Sequence, residues 1–324
     1  MDSSIPKRLS KRIVFVLIII CLSACSKETQ TENDQSSASK KTLPAPQINL
    51  KENKALDLFL AKANTAFSTL TVSAKKLRKA VSIFIDKPTE QQLKICQDEL
   101  EQTHLNYIAT YLYRNTLILA KIEHPELDKN RLTPEIVHSN NSRLDKHPII
   151  PGYIDSVDGY PSSGIIFSEQ EITINFINKE HQFSDEAYVT LGFHALGYLL
   201  RGGEKETRRD ANSFSSLNQA KTLEPEYRRS VYTKLIVELI IKDIALLSKA
   251  WLTSNDYYQR SLKELSAEQF NTLIELTLKL EENTLTKAGP LTKENNHYLS
   301  HESEQAIDLR RSLLNSLQTA LSPP

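Results

Sequence analysis

Seven of the eight glycines in this 324-residue chain fall between Gly152 and Gly203. A glycine inside a helix costs about 1 kcal/mol relative to alanine. Two long flanks are therefore nearly free of helix breakers, and irregular backbone is concentrated in the middle. The flanks carry helical periodicity. In 55–85, Leu56, Phe59, Leu60, Ala63, Phe67 and Leu70 recur at three- and four-residue steps, which predicts a helix with one buried face. Pro88 breaks the chain, and Thr89 with Gln92 resembles a capping box. A second helix is expected through residue 123, with Leu93, Cys96, Leu100, Tyr107, Tyr111 and Leu112 along its buried stripe.

The C-terminal flank reads the same way. Pro225 opens a helix over 226–251 whose stripe includes Val231, Leu235, Leu239 and Leu246. Ser266 and Gln269 mark another start, ahead of Phe270, Leu273, Leu276, Leu278 and Leu280. A last helix is expected over 303–321, after the Gly289–Pro290 break. No segment alternates as a sustained strand does; 164–168 and 171–177 are at most short extended pieces. The expected fold is all-α, two antiparallel helical bundles joined by a Pro/Gly-rich middle segment.

The N-terminus reads as an address. Lys7, Arg8, Lys11 and Arg12 precede the apolar run 13–22, which is too short for the roughly 20 residues that span a bilayer. Leu22-Ser23-Ala24-Cys25 resembles a bacterial lipoprotein box, with Cys25 lipidated, Ser26 fitting sorting to the outer membrane, and the protein facing the periplasm. The expected organisation is a signal peptide at 1–24, a polar tether at 25–50 and an N-terminal bundle at 51–146. A middle segment at 147–223 and a C-terminal bundle at 224–324 complete it. Acyl chains anchor a domain at about 0.8 kcal/mol per buried CH₂, so a membrane partner through Cys25 is implied. The full chain balances 40 basic against 40 acidic residues; losing Lys7, Arg8, Lys11, Arg12 and Asp2 leaves a net charge of −3. That balance implies no nucleic-acid partner. Cys96 is the one cysteine beyond the anchor, too few for an intramolecular disulfide and consistent with a buried apolar residue.

The middle holds the chemistry. Three prolines and three glycines fall within 147–168, among Ile149, Ile150, Tyr153, Ile154, Tyr160 and Phe167. Such a loop is expected to pack against the helix that follows. That helix is predicted to begin after Ser184 and run through 187–202, stopping at Gly202–Gly203.

The loop 152-GYIDSV-157 followed by 192-GFHALGYLLRG-202 is similar to the imelysin-like family of bacterial envelope proteins. Weaker likeness extends to the helix start at Pro88–Leu93 and the helix end at Leu246–Trp251. The resemblance implies a helical two-bundle protein, often lipid-anchored, linked to uptake of iron or other metals. It also implies a G-x-H-x-x-E motif. Gly192 and His194 match that motif, but Gly197 stands where the family has glutamate. An imidazole and a carboxylate one turn apart share a helix face and can share a metal. With the acid missing, His194 is expected either to pack at the helix–loop contact or to join loop groups such as Asp155 or Asp158.

The leading expectation is a non-enzymatic protein binding a divalent metal, iron, another ligand or an envelope partner in the cleft between bundles. His194, Tyr153, Asp155, Asp158 and Arg201 are its candidate contacts. The alternative is a metallopeptidase, the activity for which the family was named, with an altered metal site and no catalytic residue assigned.

Other candidates are weaker. His297 and His301 are spaced i, i+4 and would form a two-imidazole metal clip if helical. His138 and His147 flank a polar run and read as solvated loop. Arg201, Lys205, Arg208, Arg209, Arg228 and Arg229 are either a cationic patch or an ordinary solvated surface. No G-x-S-x-G context supports a serine hydrolase.

Overall fold

A computed structural model describes residues 53–123, 142–203, 207–219, 223–252, 257–287 and 304–321. Cys25, His138, His297 and His301 lie outside them, as do the signal and tether. The described part is mostly helical, with two isolated bridges, Val157 to Tyr160 and Gly202 to Arg208, as its only β-type pairing.

Helix α1 (Lys54–Asp86) opens on Asn53, whose side chain accepts from the Leu56 amide. Thr89 caps α2 (Glu90–Ile108) by accepting from the Gln92 amide at 3.3 Å. The single second helix expected through residue 123 is instead two, because the chain breaks before α3 (Tyr111–Glu123). At that break Thr110 Oγ1 donates to the Tyr107 carbonyl at 2.7 Å, an alternative partner to the helical ladder. Arg114 fastens the corner, donating to Thr110 Oγ1 and to the Tyr107 hydroxyl.

The middle folds into α4 (Pro151–Ile154), a 3₁₀ turn at Ile165–Phe167, α5 (Ile174–Glu180) and α6 (Gly192–Arg201). The two pieces expected to be extended are thus largely helical. Thr173 supplies the reason at α5, accepting from the Phe176 amide and starting a turn the periodicity concealed.

The helix carrying His194 is also shorter than expected. It starts at Gly192 rather than after Ser184, because Gly192 has φ +88° and turns the chain there. A Cβ at that position would press on the Arg143 carbonyl oxygen and lie 2.7 Å from that of Leu144. Gly192 therefore does two jobs: it adopts a backbone shape that side chains resist, and it admits the backbone of 143–144.

After a 3₁₀ turn at Ala211–Ser213 come α7 (Pro225–Leu252), α8 (Tyr257–Lys263), α9 (Ala267–Lys287) and α10 (Glu304–Leu321). Ser266 and Gln269 form the reciprocal capping box at α9: each side chain bonds the other's amide, at 2.8 and 3.2 Å. Two stripes are displaced from expectation. Leu246 is 52% exposed, and Leu276 and Leu280 are exposed, while Ile240, Ile244, Leu247 and Trp251 are buried on α7. On α7 the exposed face carries Lys234, Lys242 and Lys249, and Leu246 lies on it, one turn from Lys242.

Helix α1 packs along α2 and also along α7, so elements of both flanks meet on one helix. Phe59 meets Tyr113 and Phe270 edge-on, Phe67 stacks on Trp251, and Phe84 meets Phe214. One apolar cluster extends from Leu56 to Leu317, and Leu50–Pro324 form one compact unit. Among the described residues, no helix is long and apolar enough to cross a membrane.

Candidate metal centre

His194 projects from the first turn of α6 and is 4% exposed. Two residues far away in sequence meet it. His104, wholly buried on α2, continues the stripe Cys96–Leu100 by one more four-residue step. Asp145 comes from the segment that crosses Gly192. Its Oδ1 lies 2.6 Å from His104 Nε2 and 3.0 Å from His194 Nε2. One ligand atom from each of the three residues falls within 4.8 Å of the other two.

The surrounding packing explains why they converge. Helices α2 and α6 are tied by two bonds: Gln97 Nε2 donates to the Leu200 carbonyl at 2.9 Å, and Arg201 Nη2 donates to the Gln97 carbonyl at 3.1 Å. Phe193 stacks on the His104 ring at 4.5 Å and fixes its plane. The Asp145 segment is held on both sides. Arg143 donates to Asp243 and Asn178, Lys146 pairs with Glu186, and Leu144 is buried. His181 closes the clamp: its Nε2 donates to the Ser142 carbonyl while its Nδ1 accepts from the Thr190 amide.

Protonation follows from these surroundings. Burial pushes the Asp145 carboxyl up, but the charge and hydrogen bonds of His104, joined by those of His194, outweigh it and hold the carboxyl well below its ordinary range. Burial lowers the His194 imidazole despite the opposing pull of Asp145. An ionised carboxylate and a neutral imidazole are the forms that ligate metal. An ionised Asp145 oxygen can only accept, so both rings present Nε2–H to it, and a metal held there would require each ring to give up that Nε2 proton.

The donor set fits a divalent transition metal. Two imidazoles and one carboxylate hold catalytic zinc and non-haem iron. His194 does sit where helix meets loop, but the loop acid it meets is Asp145 and not Asp155 or Asp158, and a second nitrogen arrives from α2. His104 and Asp145 escaped notice in the sequence. The available signal was a histidine on an otherwise apolar stripe.

Asp155, Asp158, Tyr153 and Arg201, named with His194 as candidate contacts, have their partners elsewhere. Asp155 is fully buried and receives Arg229 through both oxygens, at 2.6 and 3.1 Å, with Arg209 at 2.8 Å. Asp158 accepts from Thr207, and Tyr153 donates to Glu180 while stacking on Tyr188. Arg201 reaches Glu101 as well as Gln97. Neither reading of the arginine group holds for Arg209, Arg228 and Arg229, whose side chains are buried. Arg228 donates to the carbonyls of Ile165, Ile166 and Gln170 and so clamps the middle segment to α7.

No curated protein matched the chain. A family model described as Imelysin, peptidase M75, matches residues 63–320, a span that contains His104, Asp145 and His194 and covers more than half of the sequence. The chain belongs to the imelysin family.

Proposed function

We propose that this protein is a metal-binding member of the imelysin family, carried on the cell envelope by a lipidated Cys25, where it takes up a divalent transition metal or iron. One observation carries the metal reading: His104 Nε2, Asp145 Oδ1 and His194 Nε2 converge from three separate segments. The lipoprotein box and the polar stretch behind it support the anchor, which would hold the domain near an envelope partner of an uptake system.

Burial favours binding over hydrolysis. The two imidazoles are almost inaccessible and the Asp145 side chain is 11% exposed. A scissile peptide needs a way to the metal and an open position on it for water.

Metallopeptidase action with an altered site is the second reading, and the three-ligand donor set favours it. In that case a bound ion would polarise the peptide carbonyl and lower the pKa of its water.

Elemental analysis of protein purified from envelopes without chelators tests the first reading. About one equivalent of metal is expected in the native protein and far less in His104→Ala or His194→Ala. Metal content that these substitutions leave unchanged would remove the cluster from the function. Cys25→Ser is expected to release the protein from the membrane fraction. Chelator-sensitive cleavage of a peptide library would transfer support to the second reading.

A further inference from the structure

The cluster has a neighbour whose position was read in the sequence as solvated loop. His147 lies two residues beyond Asp145, is partly exposed, and places its ring centre 5.3 Å from that of His194, with the planes at 50°. The His104 and His194 ring centres are also 5.3 Å apart. Two imidazoles on one tetrahedral zinc, with bonds of about 2.0 Å and ring centres about 1.1 Å beyond each nitrogen, stand roughly 5 Å apart. Both ring-centre separations are close to that value; among the described residues, only His104, Asp145 and His194 have their ligand atoms within 4.8 Å of one another, so His147 joins the shell by turning its ring.

The chain explains why His147 is placed to join. Residues 145–147 follow the short helical turn at 142–144 and are themselves non-helical. Lys146 turns away to Glu186 at 2.8 Å. Asp145 and His147 both turn to His194. His104 and His194 make up the buried side, and Asp145 and His147 are the parts of the arrangement that solvent reaches.

We propose that His147 is the fourth ligand, closing a shell of three imidazoles and one carboxylate around a zinc-like divalent ion. This inference rests on the metal reading above and sharpens it. A closed four-ligand shell leaves no position for water or a peptide, whereas catalytic zinc keeps one open. Three nitrogen donors select imidazole-preferring metals over magnesium and calcium. As the outermost ligand, His147 would be the first to release the ion and the last to engage it, which suits a protein that passes metal onward.

The test compares the full chain with His147→Ala by zinc titration, by the visible spectrum of the cobalt(II) form, and by circular dichroism to confirm folding. The native protein should bind one ion and give the intense cobalt bands of four-coordinate geometry. His147→Ala should bind roughly 100-fold more weakly, the upper end of what losing even an outer-shell partner costs. Its cobalt bands should weaken, and added imidazole should restore them. Equal affinity and an identical spectrum in His147→Ala would overturn the fourth-ligand assignment and leave the three-ligand reading intact. A folded native protein that binds neither zinc nor cobalt would overturn both.

Discussion

His104 Nε2 lies 2.6 Å from Asp145 Oδ1, and 41 positions of chain separate the two residues. The contact joins α2 to the segment that crosses Gly192, and Asp145 is its shared acceptor. Asp145→Asn keeps the shape but removes the charge, and an amide oxygen accepts more weakly from two imidazoles. Stability should fall by about 1–3 kcal/mol, read in urea denaturation, while zinc binding is lost. A variant that keeps native zinc affinity would show that the carboxylate is no ligand.

Gly192 is the second lever. Gly192→Ala forces a side chain into a positive-φ position with the Arg143 and Leu144 carbonyls against it. Strain and displacement together should cost about 3 kcal/mol. The segment that must shift carries Asp145, so metal affinity should fall along with the melting temperature. Gly159→Ala makes the control: it too has positive φ, but its Cβ would meet nothing within 4 Å. Its melting temperature should fall less and its metal affinity should be unchanged.

Acid should loosen the clamp before it reaches the carboxylate. Burial lowers His181 to about 4 from an ordinary 6.5, and burial also lowers His194. The unfolded chain then binds more protons than the folded one between those values. Stability is full above about pH 6.5 and declines toward pH 4, at up to roughly 1.4 kcal/mol per pH unit for each such group. Asp145 is lowered as well, but a carboxylate lowered by folding loses its contribution only below its unfolded value near 3.9, so it lies outside this window. Denaturation midpoints from pH 7.5 to 4.5 should show the decline, and His181→Gln should flatten it. A flat profile in the unmodified protein would refute this account.

The Asp155 network should be indispensable to folding and irrelevant to metal. Arg229→Ala strips the bidentate partner from a fully buried carboxylate, leaving Arg209 at its Oδ2. Breaking a buried pair on one side costs about 3–5 kcal/mol. Zinc stoichiometry of the folded fraction should not change, because Asp155 is no part of the His104–Asp145–His194 cluster.

Restoring the family acid gives a further check. Gly197 is buried one turn after His194. Gly197→Glu should destabilise the metal-free protein by about 2–4 kcal/mol, since it buries a new carboxylate. With the shell already closed by four ligands, zinc should raise the melting temperatures of the variant and the native chain by similar increments. A clearly larger increment in the variant would place residue 197 within reach of the ion and reopen the shell.

Much of the fold was legible because helix signals are local. Thr89, Pro225 and the Ser266–Gln269 box start helices where they were expected. The failures came where a local signal met a tertiary one. Ser184 has the chemistry of a cap, yet α6 waits for Gly192, where another backbone presses in. The extended reading of 171–177 missed that Thr173 could cap a short helix. Leu246 fits its stripe by spacing and still faces solvent, since it also shares the face of the exposed Lys242 and Lys249.

His194 itself was conspicuous, with its glycine two positions before and a glycine three positions after. By itself the sequence determined the helical class, the ends of α1, α7 and α10, and the family motif with its missing acid, because each depends on residues a few positions apart. Only the tertiary structure decided what surrounds that imidazole. His104 and Asp145 lie on separate segments, and no local rule relates residues 41 and 49 positions apart. They meet because Gln97 and Arg201 fix α2 against α6 and because Gly192 lets the Asp145 segment approach.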